Sequence, residues 1–194
     1  MEKMAEVAAT LAFSSIQNND KVGVILFSDK IEKFIPPKKG RKHILLIIRE
    51  IINFVPENNG TDIGAALRFL TNALKKRTTA FLISDMIDDH DYQQSLMIAS
   101  RKHDMATIQV YDRRDAEMPD VGLVKMRDLE TGQTAWIDTS SKSTRSAYAQ
   151  VWYKRQQWIS SAMARSGVDM ASISTDEDFV KALLGLFRRR SIAR

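Results

Sequence analysis

Apolar residues recur at helical spacing from Glu2 to Gln17, with Met4, Val7, Ala8, Leu11, Ala12 and Ile16 on one face, and Asn18-Asn19-Asp20 stops the run. Val22 to Phe27 then reads without a polar break, the pattern of a strand buried on both faces. Ser28-Asp29-Lys30 turns the chain into an alternating segment from Ile31 to Ile35, read as an edge strand that Pro36-Pro37 ends because proline donates no ladder hydrogen bond. Helical patterns follow over Lys42 to Phe54 and from about Asp62 to Lys76, separated by a polar, turn-rich loop from Pro56 to Thr61. Thr79 to Ser84 is a short apolar strand that closes on Asp85. Asp88-Asp89-His90-Asp91 supplies acids to the start of a helix running to about His103, and Met105 to Tyr111 is the next strand.

The pattern changes from Leu123 to Asp138, where two alternating segments flank Glu130-Thr131-Gly132-Gln133 and predict a hairpin, at about 122–139, laid beside the main sheet. A long helix is predicted from about Ser143 to Arg165 with Gly167 as its cap. Met170 to Ser174 is a last strand, and Thr175 is placed to cap a final helix over Asp176 to Arg190. Strands alternating with helices predict an α/β fold: a three-layer, open, mostly parallel sheet with helices on both faces, one antiparallel edge strand and the extra hairpin. Residues 1–194 read as a single domain, with no internal repeat or linker.

Composition narrows the chemistry. The 194 residues are 44% hydrophobic and 27% charged, in the range of ordinary globular proteins, and the absence of cysteine excludes disulfides and thiol catalysis. The net charge of +5 is partly local, since Arg188, Arg189, Arg190 and Arg194 crowd the end of the chain. Cations there favour the negative pole of a helix, so nucleic acid is not an expected partner. The most apolar stretch, Ile44 to Val55, contains Arg49 and Glu50 and is too short to cross a bilayer. No charged-then-apolar leader pattern opens the sequence, and no membrane contact is expected of this fragment.

Two residues carry candidate chemistry. Asp85 follows a strand directly, where open α/β sheets bind ligands, and a carboxylate there binds a divalent cation or accepts hydrogen bonds from a loop. Thr61 opens a helix after a glycine, so its hydroxyl is either a ligand or an N-cap. His43, His90 and His103 lie in separate elements without metal-ligand spacing. Trp152 and Trp158 read as packing residues, and no glycine-rich phosphate loop is present.

Five segments, in order, resemble von Willebrand factor A domains, and most closely the bacterial family called domain of unknown function 58. They are Asn18 to Asp29, Ile35 to Arg41, Gly60-Thr-Asp62 with Ala65-Ala-Leu67, Leu82-Ile-Ser-Asp85, and Asp128-Leu-Glu-Thr-Gly132. In such domains Mg²⁺ sits in an adhesion site built from an Asp-x-Ser-x-Ser motif, a threonine and an aspartate. The resemblance makes Thr61 and Asp85 the last two. No Asp-x-Ser-x-Ser occurs here, so the site is partial and expected empty or weak in this chain, which takes no cofactor, with Mg²⁺ held by a full-length parent. The resemblance also implies an N-terminally truncated domain lacking a central strand between those at Val22 and Thr79. Those two strands are then expected to pair directly or across chains, giving self-association through unpaired edges.

The function implied is protein recognition without catalysis, alongside a MoxR-type AAA+ ATPase, on the cytoplasmic side of a parent that is membrane-anchored. The competing reading is a metal-dependent α/β phosphatase or phosphotransfer enzyme using Asp85. It requires a second acid and a cationic phosphate clamp nearby.

Overall fold

Three parallel strands form the centre of the molecule. β3 (Thr79–Ser84), β4 (Asp104–Tyr111) and β7 (Asp169–Ser174) lie in the order β3-β4-β7 in this computed structural model, which describes residues 2–58, 60–127 and 132–192. Residues 128–131, on which most of the Asp128 to Gly132 resemblance falls, and Arg194 lie outside the described residues. Register runs from Ile83 to Ile108 and from Ile108 to Ala171. β4 is flanked on both edges and covered on both faces, so Met105 to Val110 is a continuous buried run.

Alternation along the strands sends side chains to two cores. On one face Leu82 and Met105 meet Ile63 and Leu67 of α3 (Ile63–Ala73), Leu96 of α4 (Gln93–Lys102), and Ile159 and Met163 of α6 (Lys142–Ser166). On the other, Ala106, Ile108 and Ile173 meet Val7 of α1 (Glu2–Gln17) and Leu183 and Leu186 of α7 (Phe179–Ile192). The predicted α/β architecture, helices on both faces of an open parallel sheet, is what the chain forms.

The antiparallel pair β1 (Val22–Phe27) and β2 (Ile31–Lys38) forms a separate two-stranded sheet. Three expectations are corrected here. The apolar run in β1 is not buried on both faces, and none of its residues is fully buried, because among the described residues β2 is its only strand partner. Among the described residues β1 and β3 do not pair directly, and the strand partner of β3 is β4. β2 does not stop at Ile35 but runs through Pro36-Pro37 to Lys38, which an edge strand tolerates. Gly23 permits this, since a Cβ there would lie 2.7 Å from the Ile35 carbonyl oxygen and 2.9 Å from the Pro37 nitrogen. Asp62 N–H donates to the Ser28 carbonyl at 2.9 Å, and Phe27 packs against the first core, which ties the pair to the main body.

The extra hairpin is present as β5 (Leu123–Arg127) and β6 (Thr134–Asp138), but it forms its own sheet and bonds to no strand of the main one. Its base is closed by Thr139, whose hydroxyl donates to the Gly122 carbonyl at 2.7 Å and accepts from Val121 N–H at 3.0 Å. Gly167 caps α6 in the left-handed conformation, φ 62°, as its position predicts. Thr175 does not cap the last helix. Its N–H donates to the Tyr111 carbonyl, and α7 starts at Phe179, where Asp178 accepts from Val180 N–H at 2.9 Å. A short α5 (Arg113–Ala116), closed by a reciprocal Asp112–Asp115 box, was not predicted, its apolar content being too low to show a period.

Candidate functional site

The carboxyl end of β3 is shaped by an abrupt change of direction. Asp85 leaves the strand, and Met86 takes a left-handed backbone, φ 64°, that non-glycine residues adopt at a cost of about 1–2 kcal/mol. Burial of the Met86 side chain, 1% exposed, holds it there. The Ser84 hydroxyl accepts from Met86 N–H at 3.0 Å, and one Asp85 carboxylate oxygen, Oδ1, accepts from Ile87 N–H at 3.0 Å. Gln109 on β4 donates to the Asp85 carbonyl at 3.3 Å and accepts from Ser172 on β7 at 3.1 Å. All three parallel strands therefore position Asp85. Burial raises its pKa above the ordinary carboxylate value, with Asp115 adding to the rise and Arg155 opposing it.

Thr61 lies on the loop that enters α3 and is half-buried. It is not the N-cap. That role falls to Asp62, whose Oδ1 accepts from Ala65 N–H at 2.6 Å, while its other oxygen faces Arg68 at 3.4 Å. The loops carrying Thr61 and Asp85 are joined by Asp88. Its fully buried carboxylate accepts from Ile63 N–H at 2.7 Å, from His90 N–H at 2.8 Å, and pairs with His90 Nδ1 at 2.8 Å. Asp88 thus serves the start of α3, not α4 as its position beside α4 suggests. α4 is served by Asp91, which accepts from Gln93 N–H at 2.9 Å.

Asp62, Asp88 and His90 place one ligand atom each within 4.8 Å of one another, a grouping that spacing along the chain does not reveal. Each already has an internal partner. Asp88, with smaller contributions from Asp62 and the Thr61 backbone, raises the His90 pKa above the usual histidine value. The trio acts as a clasp between the two loops.

Mg²⁺ requires about six oxygens in an octahedron. Thr61 and Asp85 offer a hydroxyl and a carboxylate, and one oxygen of that carboxylate is already taken by Ile87 N–H. This donor set does not fit a resident Mg²⁺. Among the described residues none of the three histidines bonds to a serine or threonine hydroxyl, since His43 meets the Val22 carbonyl and His90 meets Asp88.

An open parallel sheet with an acid fixed at a strand end, and Asp88 joining that end to the loop before α3, defines an α/β domain whose two loops are held side by side. Residues 1–157 match the family described as protein of unknown function DUF58, and the chain belongs to it. An uncharacterized protein of Mycobacterium bovis is 24% identical over 175 residues, covering 89% of this chain and 55% of that protein. The chain thus spans about half the length of the first curated relatives it matches. A shorter uncharacterized protein of Mycobacterium avium is 25% identical over 158 residues, covering 80% of this chain and 93% of its own length.

Two solved structures share the fold. The crystal structure of the conserved hypothetical protein BatB from Bacteroides thetaiotaomicron has a TM-score of 0.59 at 15% identity, over 99% of this chain and 87% of that one. An aerotolerance-related membrane protein from Bacteroides fragilis has a TM-score of 0.54 at 17% identity, over 93% and 85%. At such identities the likeness is one of fold.

Proposed function

We propose that this chain is one domain, of the von Willebrand factor A type, which recognises a protein partner and catalyses no reaction. The partner is a MoxR-type AAA+ ATPase, met at the surface formed by the Thr61 and Asp85 loops. One observation carries this reading: the two loops are fixed in advance by the Asp88–His90 clasp and the Gln109 bridge. Rigid, preformed surfaces bind partners with little ordering cost. The five segments resembling that domain type are consistent with it. No helix among the described residues is long and apolar enough to cross a membrane. The Bacteroides fragilis neighbour is described as a membrane protein, which fits a membrane-anchored parent with this domain on the cytoplasmic side.

The test measures binding of a MoxR-type ATPase from the same genome to the wild type, Thr61→Ala and Asp85→Asn, with calorimetric titration of Mg²⁺ alongside. The ATPase is expected to bind the wild type and to bind each variant about tenfold more weakly, the size of one lost charge-assisted contact. Mg²⁺ alone should show no tight site. Phosphatase turnover that disappears in Asp85→Asn, without ATPase binding, would overturn the proposal and favour the enzyme reading.

A further inference from the structure

α2 (Arg41–Ile52) departs from the rule that a helix apolar on most sides is buried. Ile44 and Ile47 face the interior, but Leu45 is 47%, Leu46 38% and Ile52 63% exposed. Leu45, Arg49 and Ile52 occupy successive turns of one side. Across a shallow groove from Ile48, Phe13 of α1 is 52% exposed, and Val55, just beyond the helix, is 82% exposed.

The charge beside this face is one-sided. Lys38, Lys39, Arg41 and Lys42 are exposed at the start of α2, and none is in an ion pair among the described residues. The nearest acids along the chain are engaged elsewhere: Glu32 accepts from the Ser28 hydroxyl at 2.6 Å and Glu57 N–H at 3.1 Å, and Glu50 is held by Lys33 at 2.5 Å and Arg49 at 3.2 Å, while Asp20, further off, is exposed. Cations at a helix start oppose the macrodipole, and α2 has no acid in its first turn and no side-chain cap. That arrangement weakens the helix in isolation. Phosphate placed there would reverse the penalty, meeting both the cations and the free N–H groups.

We propose that the exposed face of α2, with Phe13 and Val55, docks on an anionic phospholipid surface. Leu45, Leu46 and Ile52 enter the boundary between headgroups and acyl chains, and Lys38, Lys39, Arg41 and Lys42 lie against the phosphates. The segment is too short to span a bilayer and suited to lie on one. Charge complementarity selects this occupant. Protein interfaces deplete lysine, whereas this surface, which also carries Phe13 and Arg49, is bordered by Lys38, Lys39 and Lys42 with Arg41.

The test is co-sedimentation of the full chain with vesicles of phosphatidylcholine alone or mixed with phosphatidylglycerol, at low and high salt. Binding is expected only to the mixed vesicles, falling as salt rises. Leu45→Glu with Ile52→Glu should weaken it about tenfold or more, as should replacing the four basic residues by glutamine, each cation near such a surface adding severalfold. These side chains are exposed, and circular dichroism and melting checks that each variant folds. Absence of binding, equal binding to neutral vesicles, or binding unaffected by both variant sets overturns the proposal. So does a loss confined to self-association or to an acidic protein, which would make the face a protein interface.

Discussion

Single residues decide how firmly the two loops are held. Asp85 and Thr61 stand out in the sequence because one follows an apolar strand and the other precedes a helix; Asp85 occupies its place, while Asp62 rather than Thr61 caps α3. Asp88 does not stand out, since the backbone group it serves belongs to Ile63, 25 positions earlier, while its chain neighbours point to α4. His90 stands beside it only because Asp88 turns the chain there. Asp88→Ala removes a buried acceptor from two N–H groups and a histidine, and hydrogen bonds to a charged group contribute about 1.5–3 kcal/mol. Denaturant unfolding is expected to show a loss of about 2 kcal/mol or more, with Ile63 and His90 amides exchanging faster. A variant as stable as the wild type would mean that the clasp contributes nothing to folding.

At the scale of elements, existence was legible and limits were less so. The Val22, Thr79, Met105 and Met170 strands and the helices between them follow from hydrophobic period alone. The end of β2 and the start of α7 were missed because they rest on long-range matters: Gly23 opposite a proline pair, and Tyr111 claiming the Thr175 N–H. The junction of α4 and β4 carries the same lesson and a pH dependence. His103 is 1% exposed, and neither ring nitrogen has a partner. Burial, with Lys102 adding, lowers its pKa below the usual histidine value, so the folded state holds it neutral. The unfolded chain takes up that proton near about pH 6.5. Its contribution to stability is therefore complete above that value and is lost as pH falls towards the lowered folded pKa. Melting temperature should drop between neutral and mildly acidic pH, and His103→Leu should drop less. Parallel profiles for the two proteins would show that His103 does not titrate on unfolding.

For the whole molecule, the number of strands and the two antiparallel hairpin pairs were legible in the sequence, but whether those pairs join the parallel sheet was not. Apolar content identifies β1 and β3 as strands, but it does not say whether they meet, and the structure leaves them in separate sheets. Among the described residues each has one strand partner, so each turns a row of backbone N–H and C=O groups away from it. Both rows belong to apolar segments, Val22–Phe27 and Thr79–Ser84, without the charges or prolines that usually protect an exposed edge. β2 shows the contrast, with Lys33, Pro36, Pro37 and Lys38 on the outermost strand. An edge guarded in that way resists pairing, and one left apolar invites it. Self-association through β1 and β3 is therefore expected, and sedimentation velocity should show mass rising with protein concentration. Hydrogen exchange locates the contact, because amides of β1 and β3 should gain protection as oligomers form while those of α2 do not. A strict monomer at every concentration, or protection that appears on α2 instead, would show that these edges are not what brings chains together.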